Sequence, residues 1–359
     1  MRQRVAFPHV PDKTKPETKR MTRLARRATA LAAGMLLAAL QHNVVHAAAG
    51  GFAKGADISW ITEMEAAGRP FLNRDGKRQD LFAILKEQGM DAVRLRVWVD
   101  PADGYNGLAD VLAKARRAKA AGMRLMIDFH YSDNWADPGK QFKPAAWKGY
   151  SVGQLAEAVG AHTRDTLAAL REAGVTPEWV QVGNETTHGM LWPDGAAATH
   201  MRHYARFVAS GYYATKQVFP DAQVIVHVDN CHDNRQFRWN FDGLLAHGGK
   251  FDVIGASAYP TTVKGVDWRA ATAACLHNMN DLAARYGKPV MLAEVGAPWN
   301  HPEGKAIIAD LIAKVRQVDN GKGVGAFYWE PQAYDWKGYP MGAFDNSGKP
   351  TAIMDAFLE

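Results

Sequence analysis

Cysteine is scarce: Cys231 and Cys275 are the only two among 359 residues. Two thiols cannot build a disulfide framework or a Cys-rich zinc site. In an oxidising compartment they could pair, and as buried thiols they could equally stay free. Long apolar runs are missing too. The stretch from Ala28 to Leu40 falls short of the ~20 residues that a membrane-spanning helix needs, and no Cys follows it to carry a lipid, so no membrane anchor is expected. A Gly-rich phosphate turn is absent where a doubly wound dinucleotide fold would carry one, since the first strand runs into Asp57-Ile58-Ser59-Trp60. Positive charge is missing from most of the chain as well. Nine basic residues stand in the first 47 positions against only Asp12 and Glu17, so the formal +6 becomes about −1 for the remainder. No surface for nucleic acid is expected.

The first residues carry an address instead. A basic stretch from Arg2 to Arg27, the apolar run to Leu40 and the small-x-small sequence Val45-His46-Ala47 follow the order of a secretory signal peptide. Residues 1–47 are therefore expected to be removed, with Met21 a possible alternative start, leaving residues 50–359 as one domain, secreted or periplasmic. Arg26-Arg27 lacks the apolar residues that normally follow a twin-arginine export pair.

From there the chain alternates. Apolar segments at Ala53–Ser59, Ala92–Val99, Arg124–Tyr131, Glu178–Glu185, Gln223–Asn230, Asp252–Tyr259, Pro289–Val295 and Val324–Trp329 read as strands. Between and after them, Lys77–Gln88, Gly107–Ala121, Gln154–Ala173, Ala196–Val218, Phe241–Ala246, Trp268–Tyr286, Lys305–Val318 and Ala352–Leu358 read as helices, several closed by Gly. Strands alternating with helices imply a parallel sheet, and eight such units imply an α/β fold closed into a (β/α)8 TIM barrel.

In such a barrel the chemistry sits at the C-terminal strand ends. Those ends are polar and aromatic where the strand bodies are Val, Ile, Leu and Ala: Asp57 and Trp60; Arg94, Arg96 and Trp98; Asp128, His130 and Tyr131; Asn184 and Glu185; His227, Asp229 and Asn230; Tyr259; Glu294; Trp329 and Glu330. Glu185 and Glu294 close the fourth and seventh strands, which face each other across a barrel mouth. Two opposed carboxylates, one ionised as a nucleophile and one protonated as an acid, are what retaining glycoside hydrolysis requires. Arg94 or Arg96, with Tyr259, could hold Glu294 as the anion, and Asn184 is suited to a sugar 2-hydroxyl. Trp98, Trp135, Trp147, Trp192, Trp299 and Trp329 fall in or beside the upper loops, where flat rings can stack on sugars. Any one of them could equally be core.

Four blocks carry a resemblance: Val93-Arg94-Leu95-Arg96-Val97-Trp98; Asp128-Phe129-His130-Tyr131-Ser132-Asp133 with Trp135-Ala136-Asp137-Pro138; Gly183-Asn184-Glu185 with Gly189-Met190-Leu191-Trp192-Pro193; and Phe327-Tyr328-Trp329-Glu330-Pro331. Together they resemble glycoside hydrolase family 53, whose members are endo-β-1,4-galactanases, and the resemblance runs from about Gly55 to the C-terminus. It implies a polysaccharide substrate, the β-1,4-galactan side chains of pectin, with Glu185 as acid/base and Glu294 as nucleophile. Asp133, Trp135 and Asp137, in the most specific block, and Asp229 with Asn230 are the candidates for reading the sugar C4 hydroxyl. Ala293-Glu294-Val295-Gly296 departs from the Glu-Thr usual in that family. Bacterial members carry calcium in a late loop; no acidic loop here has the ligand spacing, so neither a metal nor a cofactor is expected, and the protein is expected to be a monomer.

Three alternatives compete. Another retaining β-glycanase, acting on mannan, xylan or cellulose, would use the same barrel and acids. A metal-dependent hydrolase could recruit His227, Asp229, His232 and Asp233, although the first strand lacks a His-x-His pair. A non-catalytic glycan-binding barrel would need the aromatics but not two opposed acids.

Overall fold

The computed structural model describes residues 51–359; the expected signal peptide at residues 1–47 lies outside the described residues. Eight parallel strands close into a barrel in sequence order. They are β1 (Ala53–Asp57), β2 (Ala92–Val97), β3 (Arg124–Phe129), β4 (Trp179–Val182), β5 (Gln223–Val228), β6 (Val253–Ala258), β7 (Val290–Val295) and β8 (Gly323–Trp329). The helices on the outside are α1 (Ile61–Ala66), α2 (Leu81–Glu87), α3 (Leu108–Ala120), α4 (Val152–Glu172), α5 (Ala197–Val218), α6 (Asn234–Ala246), α7 (Trp268–Tyr286) and α8 (Gly304–Arg316). The expected barrel is thus observed, with local corrections. The short helix α1 was not anticipated. Helix α6 begins seven residues before the expected Phe241, because Asp233 caps it by accepting from the Gln236 amide. The last expected helix is a 3-10 segment, Ala352–Phe357.

Alternation along each strand divides its residues between two cores. One face of the strands packs under the helices, with Val93, Leu95, Ile127, Val180, Val182, Val226, Ile254 and Leu292 all buried. The other faces inward, where Ala53, Ala92, Met126, Trp179, Ile225, Val253, Met291 and Phe327, one per strand, plug the lower end. Truncating a plug residue such as Trp179 to Ala should cost about 3–5 kcal/mol. No water can support charge from below, so polar groups in the upper interior must satisfy one another. Among the described residues no helix is long and apolar enough to cross a membrane.

Candidate active site

Two residues above the plug, the inward positions turn polar: Arg94 on β2, Asp128 on β3, Gln181 on β4 and His227 on β5, all buried. Strict alternation from Met291 on β7 would send Ala293 inward and Glu294 out to the helices. The pairing instead slips: Leu292 pairs with Ala256 but Glu294 pairs with Ser257, so Ala293 is the extra residue. That one-residue irregularity turns Glu294 into the barrel mouth while Leu292 and Val295 stay in the outer core. Just past the strand ends, Tyr131, Glu185, Asn230 and Glu330 adopt left-handed backbone (φ 50, 44, 55 and 48°). Each costs on the order of 1 kcal/mol and persists because its surroundings hold it. Gly183 (φ 86°) starts the turn that delivers Glu185; a Cβ there would lie 2.4 Å from the Thr186 methyl.

Arg94 is the hub of this layer. Its guanidinium lies 2.8 Å from Asp57, 2.9 Å from Asp128 and 2.9 Å from Glu294, and it also donates to Asn184 Oδ1 at 2.7 Å. A single buried cation shared by three carboxylates is held firmly protonated. Tyr259 adds an O–H donated to Glu294 at 3.0 Å. Burial, with Asp57 and Asp128 close by, pushes the Glu294 carboxyl up to about 7, against the pull of Arg94 and Tyr259. Burial pushes Glu185 well above the usual range as well, and the charge on Glu294 adds to it. Glu185 has one side-chain donor, the Ser257 hydroxyl at 2.6 Å, where Glu294 has an arginine and a tyrosine. The first proton lost by the pair therefore comes from Glu294, and Glu185 keeps the second.

Both glutamates line one cleft with Trp60, Trp135, Asp137, Asn184, Tyr259, Trp329 and Tyr339. Trp60 sits edge-on to Trp135, Trp329 and Tyr339 at centroid distances of 5.6, 5.2 and 5.8 Å. Beneath these rings Arg96 stacks 4.2 Å from the Trp135 centroid and 5.2 Å from that of Trp60, and pairs with Glu330 at 2.8 Å. The cation fixes the underside of the platform. His130 braces the same loop: its Nδ1 accepts from Trp98 Nε1 and the Ala136 amide, so the proton is on Nε2, facing Asp128 at 3.1 Å.

The candidates from sequence therefore separate by depth. Glu185, Glu294, Trp60, Trp135, Asp137, Asn184, Tyr259 and Trp329 line the cleft, and Asp229 and Asn230 line an adjoining hollow that also reaches Glu185. Asp57, Arg94, Arg96, Trp98 and His130 are buried behind it. Asp133 ties loops together by accepting from the Asp100 and Ala145 amides. Trp299 is not among the cleft-lining residues; its amide donates to Pro340, and Trp147 packs in the core. Of the two arginines considered for Glu294, Arg94 makes the contact. Cys231 and Cys275 form a disulfide beside the hollow. Tyr339, Ser257 and Gln181 were missed; alternation could have found Ser257, two positions before Tyr259 on one strand face. His227 contacts Ser257, while Asp229 and Asp233 both accept from Gln236, from its side chain and its backbone N–H, and among the described residues no group of three His, Cys, Asp or Glu could hold a metal ion.

Comparison with known proteins places the chain in a family. The family model described as glycosyl hydrolase family 53 matches residues 53–357. A probable arabinogalactan endo-β-1,4-galactanase A of Aspergillus terreus is 35% identical over 301 residues, 77% of this chain and 85% of its own. The arabinogalactan endo-β-1,4-galactanase of Humicola insolens is 35% identical over 300 residues, 77% of this chain and 89% of its own. A solved fungal β-1,4-galactanase superposes with a TM-score of 0.79 at 31% identity, covering 86% of this chain and 100% of that one. With its barrel, its two cleft glutamates and this match over nearly all the described residues, the chain belongs to glycosyl hydrolase family 53 and is a glycoside hydrolase.

Proposed function

We propose that the protein is a retaining endo-β-1,4-galactanase, cleaving the galactan of type I arabinogalactan to galactooligosaccharides by double displacement. The observation that carries the division of labour is the unequal donor set: Arg94 and Tyr259 on Glu294, Ser257 alone on Glu185. Glu294 attacks the anomeric carbon as the anion while Glu185 gives its proton to the leaving oxygen. Water, deprotonated by Glu185, then releases the sugar with its β-configuration retained. Trp60, Trp135 and Trp329 provide the stacking surface, and the free N–H of Asn184 suits the 2-hydroxyl. Substrate choice follows from contacts to the C4 hydroxyl, worth about 2–5 kcal/mol when a buried group would otherwise be left unpaired; Asp137, Asp229 and Asn230, which line the cleft and the adjoining hollow, are the residues proposed for them. The names of the relatives support galactan over mannan, xylan or cellulose.

Incubation with those four polysaccharides and NMR of the first anomer released tests this. Short galactooligosaccharides released as the β-anomer are expected; preference for mannan or xylan, or first release of the α-anomer, would overturn it. On the same reading the signal peptide ends near Ala47, residues 50–359 are the catalytic domain, and the mature enzyme is a monomer outside the cytoplasm. N-terminal sequencing and light scattering of protein from its host check both.

A further inference from the structure

We infer that Ser257, oriented by His227, is a positioning residue for the acid/base Glu185: it holds Oε1 so that the transferable proton occupies Oε2. The inference rests on the reading of Glu185 given above. The chain of contacts is continuous and buried. Ser257 Oγ donates to Glu185 Oε1 at 2.6 Å, and His227 Nε2 lies 2.8 Å from the same Oγ.

The direction of this chain follows from its far end. His227 Nδ1 faces the Gln181 amide nitrogen at 3.1 Å and the backbone N–H of Glu185 at 3.4 Å, two donors. It also lies 3.1 Å from Asn184 Oδ1, but that oxygen already accepts from Arg94 at 2.7 Å, and Gln181, which gives one N–H to Asp128 at 2.6 Å, has its second left for Nδ1. Nδ1 is therefore the acceptor and Nε2 carries the proton. Burial, followed by the cation of Arg94, keeps the imidazole neutral. Nε2–H donates to Ser257, which leaves the serine proton nowhere to go but Glu185. No proton moves along this chain during the reaction.

Its effect is electronic and geometric. As Glu185 Oε2–H gives its proton to the leaving oxygen and the bond from that oxygen to the anomeric carbon breaks, negative charge grows on the Glu185 carboxylate. A hydrogen bond to a charged acceptor is roughly twice as strong as one to a neutral acceptor, so Ser257 donates more strongly in the transition state than before it. The other groups facing Glu185 are Glu294 on β7 and Asp229 after β5, Arg94 on β2, and Tyr259 after β6. None of them donates a hydrogen bond to the carboxylate.

The test compares kcat/KM on galactan and on two aryl β-galactobiosides, one with phenol and one with dinitrophenol as leaving group. Ser257→Ala should lose about ten- to a hundred-fold on galactan and the phenyl substrate, and less than about threefold on the dinitrophenyl one, whose leaving group needs little protonation. The ratio between substrates is independent of how much enzyme is folded. The alkaline limb of the pH profile should move to higher pH, because the anion has lost its donor, while the acid limb stays. Ser257→Thr, which keeps the hydroxyl, should restore part of the ratio. An equal loss on all three substrates with an unmoved alkaline limb, or no loss, would overturn the inference. Glu185→Ala separates the two levels. If it loses galactan but keeps dinitrophenyl cleavage, the acid/base reading stands and a failure with Ser257 is its own; if it keeps galactan, that reading and this inference fall together.

Discussion

Replacing Glu294 with Gln should abolish turnover and yet make the protein progressively more stable, relative to the native chain, as pH rises. The carboxyl is held at about 7, against an ordinary value of 4.5, first by burial and then by the neighbouring Asp57 and Asp128. An unfolded chain gives up this proton near the ordinary value, whereas the folded chain holds it until about pH 7. Stability of the native protein is thus complete below the unfolded value and is lost as pH climbs through that window. At about 1.4 kcal/mol per unit, the loss amounts to about 3 kcal/mol. The Gln side chain has no proton to lose, and in the variant Glu185 is also relieved of the Glu294 charge that raises it in the native protein, so both changes favour the variant as pH rises. Urea unfolding followed by Trp fluorescence should show the difference between variant and native protein growing by about 3 kcal/mol from about pH 4 to about pH 8 and then levelling. The acid limb of native kcat/KM should fall in the same window. A difference that is flat with pH, or that shrinks, would refute the proposed balance around Glu294.

Three further outcomes follow from the same geometry. Arg94→Lys keeps a charge but cannot reach Asp57, Asp128, Glu294 and Asn184 together; it should cost about 3 kcal/mol or more of stability in urea unfolding and move the acid limb of kcat/KM to higher pH. Cys231→Ser with Cys275→Ser opens a cross-link spanning 44 residues and should lower unfolding free energy by about 2–4 kcal/mol, with a raised KM because Cys231 follows Asn230 directly. Trp135→Ala removes the ring over Arg96 and should raise KM on galactan about tenfold with a smaller change in kcat, as measured by initial rates.

The barrel was legible because each strand and helix carries its own period and most helices end at a Gly. The two glutamates that line the cleft were legible because Asn184-Glu185 and Glu294 close apolar runs. Depth was not legible. Asp57, Arg96 and His130 stand near strand ends exactly as Trp60 and Tyr259 do, and only the tiers of the closed barrel separate those that brace the cleft from those that line it. The inward turn of Glu294 depends on the slip at Ala293, which leaves no mark in the hydrophobic pattern. The sequence gives no early start for helix α6 because its first turns, Asn234 to Asn240, are mostly polar and only Phe237 is an obvious core residue. The disulfide needs Cα atoms brought to 4.9 Å, a distance no spacing reveals.

The assignment of the two glutamates is tested most directly by azide rescue. Glu294→Gly should lose nearly all turnover and recover it in azide with an α-glycosyl azide as product, since azide then enters from the vacated face. Glu185→Ala, given a substrate with an activated leaving group, should form the glycosyl-enzyme and yield the β-glycosyl azide. The same azide anomer from both variants would contradict the assignment.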